Sequence, residues 1–294
     1  MNNYLITCES TADLSEALLA ARGIPYACFT FHMDGQDYAD DYGRSMPYAV
    51  FYEKMKAGSV STTSQVSTGA YDALWRPYLK TGKDILHLSL SSGISGSYNG
   101  ACLAAEALRE EFPERKLIVV DSLNASSGYG LLVELAADKR DEGASIEALQ
   151  VYLLAVRNRV NAWFYTSDLT YLCRGGRVSK TAFVLGSALK ICPLMRVDGN
   201  GKLVPAAKYH GKRRATQACA DKLFALAEGG TAYDAYCYIS HSNCRQDAEL
   251  LAEMIAARCP QLAEKIKLFD IGTVIGSHTG PGTVALFFFG EERP

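Results

Sequence analysis

Three stretches in the first half of the chain gather hydroxyl side chains where a strand-like run gives way to a helix. Ser10-Thr11-Ala12-Asp13 follows the first such run, and Ser61-Thr62-Thr63-Ser64-Gln65 precedes a helix. Ser91-Ser92-Gly93-Ile94-Ser95-Gly96-Ser97 joins another apolar run to its helix, and Asp121-Ser122 ends the next. Hydroxyls and backbone N–H groups at a helix N-terminus suit a carboxylate or a phosphate. In an open parallel sheet, ligands gather at the carboxyl ends of the strands. One such loop is an ordinary cap, because Ser and Thr are the usual capping residues. Several in one half-chain point to an anion site.

The second half adds cations. Arg174-Gly175-Gly176-Arg177 sets two arginines beside two glycines. The glycines let the backbone approach closely, and a guanidinium donates well to an oxyanion. His278-Thr279-Gly280-Pro281-Gly282 places a histidine at a turn between apolar, strand-like runs. From Lys202 to Arg214 there are five basic residues and no acidic one, with Lys208, Lys212, Arg213 and Arg214 clustered around His210. Such a run is a solvated face or a docking site for an acidic partner.

Familiar catalytic signatures are missing. There is no Gly-x-x-x-x-Gly-Lys-Ser/Thr, no Gly-x-Gly-x-x-Gly after a strand and no His-Glu-x-x-His. Gly93-Ile94-Ser95-Gly96-Ser97 approaches a nucleophile elbow but lacks its final glycine. The alternative this leaves is an enzyme acting on an acyl or phosphoryl group, with Ser95 as nucleophile and His278 as base. Five scattered histidines and nine cysteines without a Cys-x-x-Cys argue against a metal site or a redox motif. The cysteines read as small buried hydrophobes. The formal net charge of −2 gives no global pull toward nucleic acid. No apolar run is long enough to span a membrane, and Met1-Asn2-Asn3-Tyr4 does not open a signal peptide. A cytoplasmic protein is expected.

The elements that must hold these residues alternate in the first half. Strands are expected at Tyr4–Thr7, Ile24–His32, Asp84–Leu90 and Lys116–Val120. Helices are expected at Leu14–Arg22, Met46–Ala57, Ala70–Leu79, Ser97–Glu111, Gly128–Asp141 and Ser145–Val160. That order predicts a three-layer α/β/α domain on a mainly parallel sheet. After about residue 160 the pattern becomes α+β with a mixed sheet. It has strands at Ala162–Thr166, Ala235–Ser240, Lys265–Asp270 and Thr283–Phe289, and helices at Ser179–Ile191, Arg213–Ala227 and Gln246–Arg258. Asp198-Gly199-Asn200-Gly201 marks a hairpin between Pro193–Val197 and Lys202–Lys208. Two domains, 1–160 and 161–294, are therefore expected to pack closely.

Taken together and in order, these motifs resemble the DegV family of fatty-acid-binding proteins, whose members include the lipid-binding subunits of bacterial fatty acid kinase. The resemblance runs through Ser10–Leu14, Thr63-Ser64-Gln65, Leu90–Tyr98, Val120-Asp121-Ser122, Leu172–Val178 and His278–Gly282. It implies two α/β domains with one long-chain fatty acid between them, no cofactor and no catalytic residue. It implies that Thr63 and Ser95 bind the carboxylate, with Thr62 and Ser92 as neighbouring candidates and Arg177 and His278 as supporting members. It further implies delivery of the carboxylate to a kinase partner, docked on Lys208, Lys212, Arg213 and Arg214. Nucleic acid is not implied, and contact with a membrane is at most transient. The chain departs from the family at Cys8-Glu9-Ser10, where Asp usually precedes the serine, and at Val66, where proline often stands. The tail would lie against apolar segments such as Thr181–Ile191 and Val284–Phe289.

Overall fold

The computed structural model describes residues 4–178 and 191–294. Strands β1 (Tyr4–Glu9), β2 (Tyr26–Ala27), β6 (Asp84–Ser89) and β7 (Leu117–Asp121) form a parallel sheet in the order β2-β1-β6-β7. The side chains of β6 alternate as the pleat requires. Ile85 packs on one face with helices α3 (Thr68–Lys80) and α4 (Ser97–Glu111). Leu86 and Leu88 pack on the other with α5 (Ser126–Asp141) and α6 (Ile146–Val156). This is the three-layer arrangement expected of the first half.

The second sheet is mixed and holds β8 (Val160–Tyr165), β9 (Ile191–Val197), β10 (Leu203–His210), β11 (Cys237–His241), β12 (Ile266–Asp270) and β13 (Val284–Phe289). Its order is β10-β9-β8-β13-β11-β12, with only β11 and β12 parallel. On β8 and β13, Ala162, Phe164, Ala285 and Phe287 face α5. Trp163, Tyr165, Leu286 and Phe288 face the opposite way, toward the core beneath α8 (Lys212–Leu226) and α9 (Arg245–Arg258). Helix α5 is buried along most of its length because it packs between both sheets, on β1 on one side and on β8, β11 and β13 on the other. The chain is thus a two-domain α/β protein whose halves share one core.

Three expectations need correction. The single strand over Ile24–His32 is two short strands in different sheets. Phe29 N–H donates to Ser10 Oγ at 3.2 Å and its carbonyl accepts from Asp40 N at 2.9 Å. The chain leaves the parallel ladder there, and β3 (Thr30–Met33) joins β4 (Gln36–Ala39) and β5 (Ser61–Ser64) in a small antiparallel sheet. Helix α2 (Tyr48–Lys56) starts behind Pro47, because the Ser45 hydroxyl and amide are engaged by Asp41. The apolar run leading into His278 is not strand-like but a short helix, α10 (Thr273–Thr279), with the histidine in its last turn. The helix expected over Ser179–Ile191 falls on residues 179–190, outside the described residues, as does most of the Thr181–Ile191 wall; Ile191 itself opens β9.

Candidate functional site

Between the two sheets lies a cavity of about 220 Å³. Its walls are mostly apolar: Ala162 and Phe164 from β8, Ala285 and Phe287 from β13, Leu90 after β6, and Val274 from α10. Polar side chains gather in one corner, and four of the residues singled out from the sequence meet there: Thr63, Ser95, Arg177 and His278.

Strand β5 brings in Thr63. Alternation along it turns Ser61 and Thr63 to the same side, where their hydroxyls meet Ser277 Oγ at 2.7 Å and His278 Nε2 at 2.8 Å. Thr62 points the other way, is exposed and lies outside the cavity. The same holds for Ser92, which is exposed and reaches Asp121 only through its amide, at 3.1 Å. Ser95 faces the cavity; its Oγ accepts the Ser97 amide at 3.2 Å and pairs with Ser97 Oγ at 2.9 Å.

Helix α10 brings in His278, and buried carboxylates from the first half of the chain set that helix in place. Asp13 Oδ1 accepts Gly272 N–H at 3.0 Å, and Asp40 Oδ1 accepts Thr273 N–H at 3.0 Å and its hydroxyl at 2.7 Å. Both contacts satisfy amides at the helix start that have no partner within the helix. At the other end, a Cβ on Gly175 would fall 2.1 Å from His278 Nδ1. Only glycine lets the imidazole sit there, and among the described residues Nδ1 has no hydrogen-bond partner. A proton on Nδ1 would be a buried, unpaired donor, so the favoured tautomer carries it on Nε2 and donates to Thr63 Oγ1. Burial, aided by the Arg177 charge, pushes the His278 pKa down to about 4. The ring is therefore neutral near pH 7, and the Thr63 hydroxyl proton is free to point into the cavity.

Arg177 completes the corner. Its Nε donates to Ile94 O at 3.1 Å and its Nη1 to Gly175 O at 2.5 Å. Among the described residues no carboxylate pairs with it, and burial lowers its pKa. A half-buried guanidinium balanced only by carbonyls favours an incoming anion. Among the described residues Ser95 and His278 are not hydrogen-bonded to each other: His278 bonds Thr63, and no carboxylate orients its ring.

Two lining residues carried no assigned role in the sequence reading. Gln65 lies over Gly96, where a Cβ would come within 2.1 Å of its Oε1. Ser126 lines the cavity with φ 53 and donates to Asp13 Oδ2 at 2.5 Å. Position 65 was within reach of sequence reading, because it ends the Thr63-Ser64-Gln65 motif; Ser126 carried no signal. Glu9, the departure noted above, is fully buried beneath the Ser91–Ser97 loop. It accepts Leu90 N–H at 2.8 Å, Ser89 Oγ at 2.9 Å and the Tyr71 hydroxyl. Its extra methylene thus serves to hold the loop from below.

The basic segment is split. Lys208, Arg213 and Arg214 are exposed, whereas Lys212 is paired with Asp247 at 2.6 Å. His210, Lys212, Arg213 and Arg214 line a surface groove at the start of α8. Cations in a first helical turn oppose the helix dipole, so this groove is electrostatically ready for an acidic partner.

Comparison with known proteins gives this architecture a family. The profile described as "Uncharacterised protein, DegV family" matches residues 3–291. The chain belongs to the DegV family. A DegV domain-containing protein of Clostridium perfringens is 34% identical over 293 residues, covering 100% of this chain and 99% of that one. A DegV protein of Thermus thermophilus, solved in a study of fatty acid binding, superposes with a TM-score of 0.86 at 27% identity, over 98% of this chain and 100% of that chain. The Fatty Acid Kinase B3 protein of Streptococcus pneumoniae, loaded with linoleic acid, shares the DegV fold with a TM-score of 0.85 at 23% identity, over 99% of this chain and 100% of that chain. No helix among the described residues is long and apolar enough to cross a membrane.

Proposed function

We propose that this DegV protein binds one long-chain fatty acid between its domains, which divide near residue 160, and presents the carboxylate to a kinase partner in the cytoplasm. The observation that carries the reading is the cavity's polarity: apolar walls with a single corner of donors, including one cation without a carboxylate. Thr63 Oγ1 donates to the carboxylate while accepting from His278 Nε2. Ser95 Oγ supplies a second hydroxyl, and Arg177 balances the charge. Thr62 and Ser92, on the outer side of their segments, stay outside this contact set. Burying a tail of sixteen carbons contributes roughly 10 kcal/mol gross, at about 0.8 kcal/mol per CH₂, before the cost of ordering the chain.

The protein itself is read as non-catalytic. Phosphoryl transfer would be the partner's chemistry: the held carboxylate oxygen would attack the γ-phosphorus of a nucleoside triphosphate, the bond from that phosphorus to the bridging oxygen would break, and the nucleoside diphosphate would leave. Lys208, Arg213 and Arg214 form the docking surface; Lys212 shapes it from within its pair with Asp247.

The deciding experiment is denaturing extraction and mass spectrometry of the lipid that co-purifies, followed by uptake of added palmitate or oleate. A stoichiometric fatty acid is expected. A protein that is empty and also fails to take up either acid overturns the reading.

A further inference from the structure

The headgroup loop is held from a direction that the carboxylate corner does not explain. The β9–β10 hairpin turn, Asp198–Gly201, reaches across from the second sheet and lies directly on the Ser91–Ser97 loop. Ser91 Oγ donates to Gly201 O at 2.9 Å. A Cβ on Gly93 would come within 2.6 Å of Asn200 O and 2.7 Å of Gly201 O, and one on Gly201 within 2.0 Å of Ser91 Oγ. The two glycines thus permit a backbone-to-backbone contact that no side chain could enter.

The turn is held in its own place by Arg293. Arg293 is 6% exposed, yet among the described residues its hydrogen bonds go to neutral oxygens. Its Nη1 donates to Asp198 O at 3.1 Å. Its Nη2 donates to Leu123 O at 2.9 Å, Arg157 O at 3.2 Å and Asn158 Oδ1 at 3.2 Å. One planar fork therefore ties the hairpin turn to the loop after β7 and to the connection between the domains. Burial, with the neighbouring Arg196 and Arg157 charges and against the pull of Asp198, lowers its pKa to about 10. Burying a guanidinium among neutral carbonyls is costly and contributes little that an apolar side chain could not. What the fork provides is direction: several carbonyls from separate segments are held at set positions at once.

We infer that Arg293 is a positioning residue for the carboxylate site, acting through the Asp198–Gly201 turn on Ser91 and Gly93 to hold Ser95 at the cavity corner. The ligand side of this inference rests on the fatty-acid reading above; the mechanical side does not.

The test separates the two. In the ligand-free protein, Arg293→Met is expected to speed hydrogen exchange at the Ile94 and Ser95 amides, which bond Ser91 O at 3.2 and 3.1 Å, while the amides of β8 and β13 stay protected. With ligand, affinity for palmitate is expected to fall about tenfold, while affinity for its methyl ester, which lacks the charge, changes less than about twofold. Ser91→Ala cuts the same linkage from the other side and serves should Arg293→Met fold poorly; the same carboxylate-selective loss is expected. Unchanged exchange at Ile94 and Ser95, or equal losses for acid and ester in both variants, overturns the inference. A wild-type protein that binds neither ligand overturns the fatty-acid reading instead, and the exchange measurement still decides the role of Arg293.

Discussion

The apolar chamber and the polar corner of the cavity are built by different means. The chamber is walled by regular elements. On β8 and β13, Ala162 stands opposite Phe287 and Phe164 opposite Ala285, so small and large residues alternate across the ladder and leave room between the rings. The corner is assembled from a small edge sheet, two loops and a seven-residue helix, and its central contact joins residues 215 positions apart. Burial in the chamber is non-directional and tolerates substitutions that keep volume. The corner depends on hydrogen-bond geometry and is sensitive to the displacement of a single donor.

Filling the chamber should therefore have the largest effect. Ala162→Trp or Ala285→Phe is expected to weaken binding of sixteen- and eighteen-carbon acids by about a hundredfold or more, and that of a ten-carbon acid far less. Displacement of a fluorescent fatty acid measures both. Equal losses at every chain length would show that the walls do not hold the tail.

Removing one donor from the corner should come next. Thr63→Val is expected to cost about tenfold to a hundredfold in affinity for the acid, as for a hydrogen bond to a charged group, with little change in apo stability. Thr62→Val should stay within about twofold, because its side chain faces away. A large loss of apo stability in Thr63→Val would instead mark the hydroxyl as part of the fold.

The state of His278 gives a finer comparison. Its folded pKa of about 4 lies below the ordinary 6.5, so between these values the unfolded chain binds more protons. Its contribution to stability is complete above pH 6.5 and is lost as pH falls toward 4. Asp13 and Asp40, raised by burial, act in the opposite sense, so the His278 ring signal in an NMR titration is the proper readout. A bound carboxylate should move that pKa upward. No movement on loading would place the carboxylate elsewhere.

The smallest effect on the cavity is expected from the docking surface. Arg213→Glu with Arg214→Glu should leave fatty-acid affinity within about twofold while impairing phosphorylation by the proposed kinase partner. Loss of both together would tie the basic groove to the lipid site.

Much of the frame was legible in the residues. Period-two runs and helical stretches place β1, β6, β7, α4 and α5 within a few positions of where they lie, because local pattern and burial agree there. The Ser91–Ser97 loop and Arg177 were legible as a cluster of donors. The helix at Thr273–Thr279 was not. Its composition is β-prone, and it is helical because Asp13 and Asp40 satisfy its first amides from more than 200 residues away. The break at Phe29 was hidden for the same reason: Ser10 and Asp40 take its backbone groups.

By itself the sequence determined the kind of protein: an alternating α/β half followed by an α+β half with a mixed sheet, hydroxyl-rich loops and a set of cations. It could not choose between Thr62 and Thr63, or between Ser92 and Ser95, because adjacent residues of the same type are equivalent until a ladder or a turn gives each a direction. Only the tertiary structure gives each side chain its direction. Pairing β5 with β3 sends Thr63 inward, and packing α10 against Gly175 brings His278 to meet it. The contact depends on where two distant segments come to rest, and no local pattern records that.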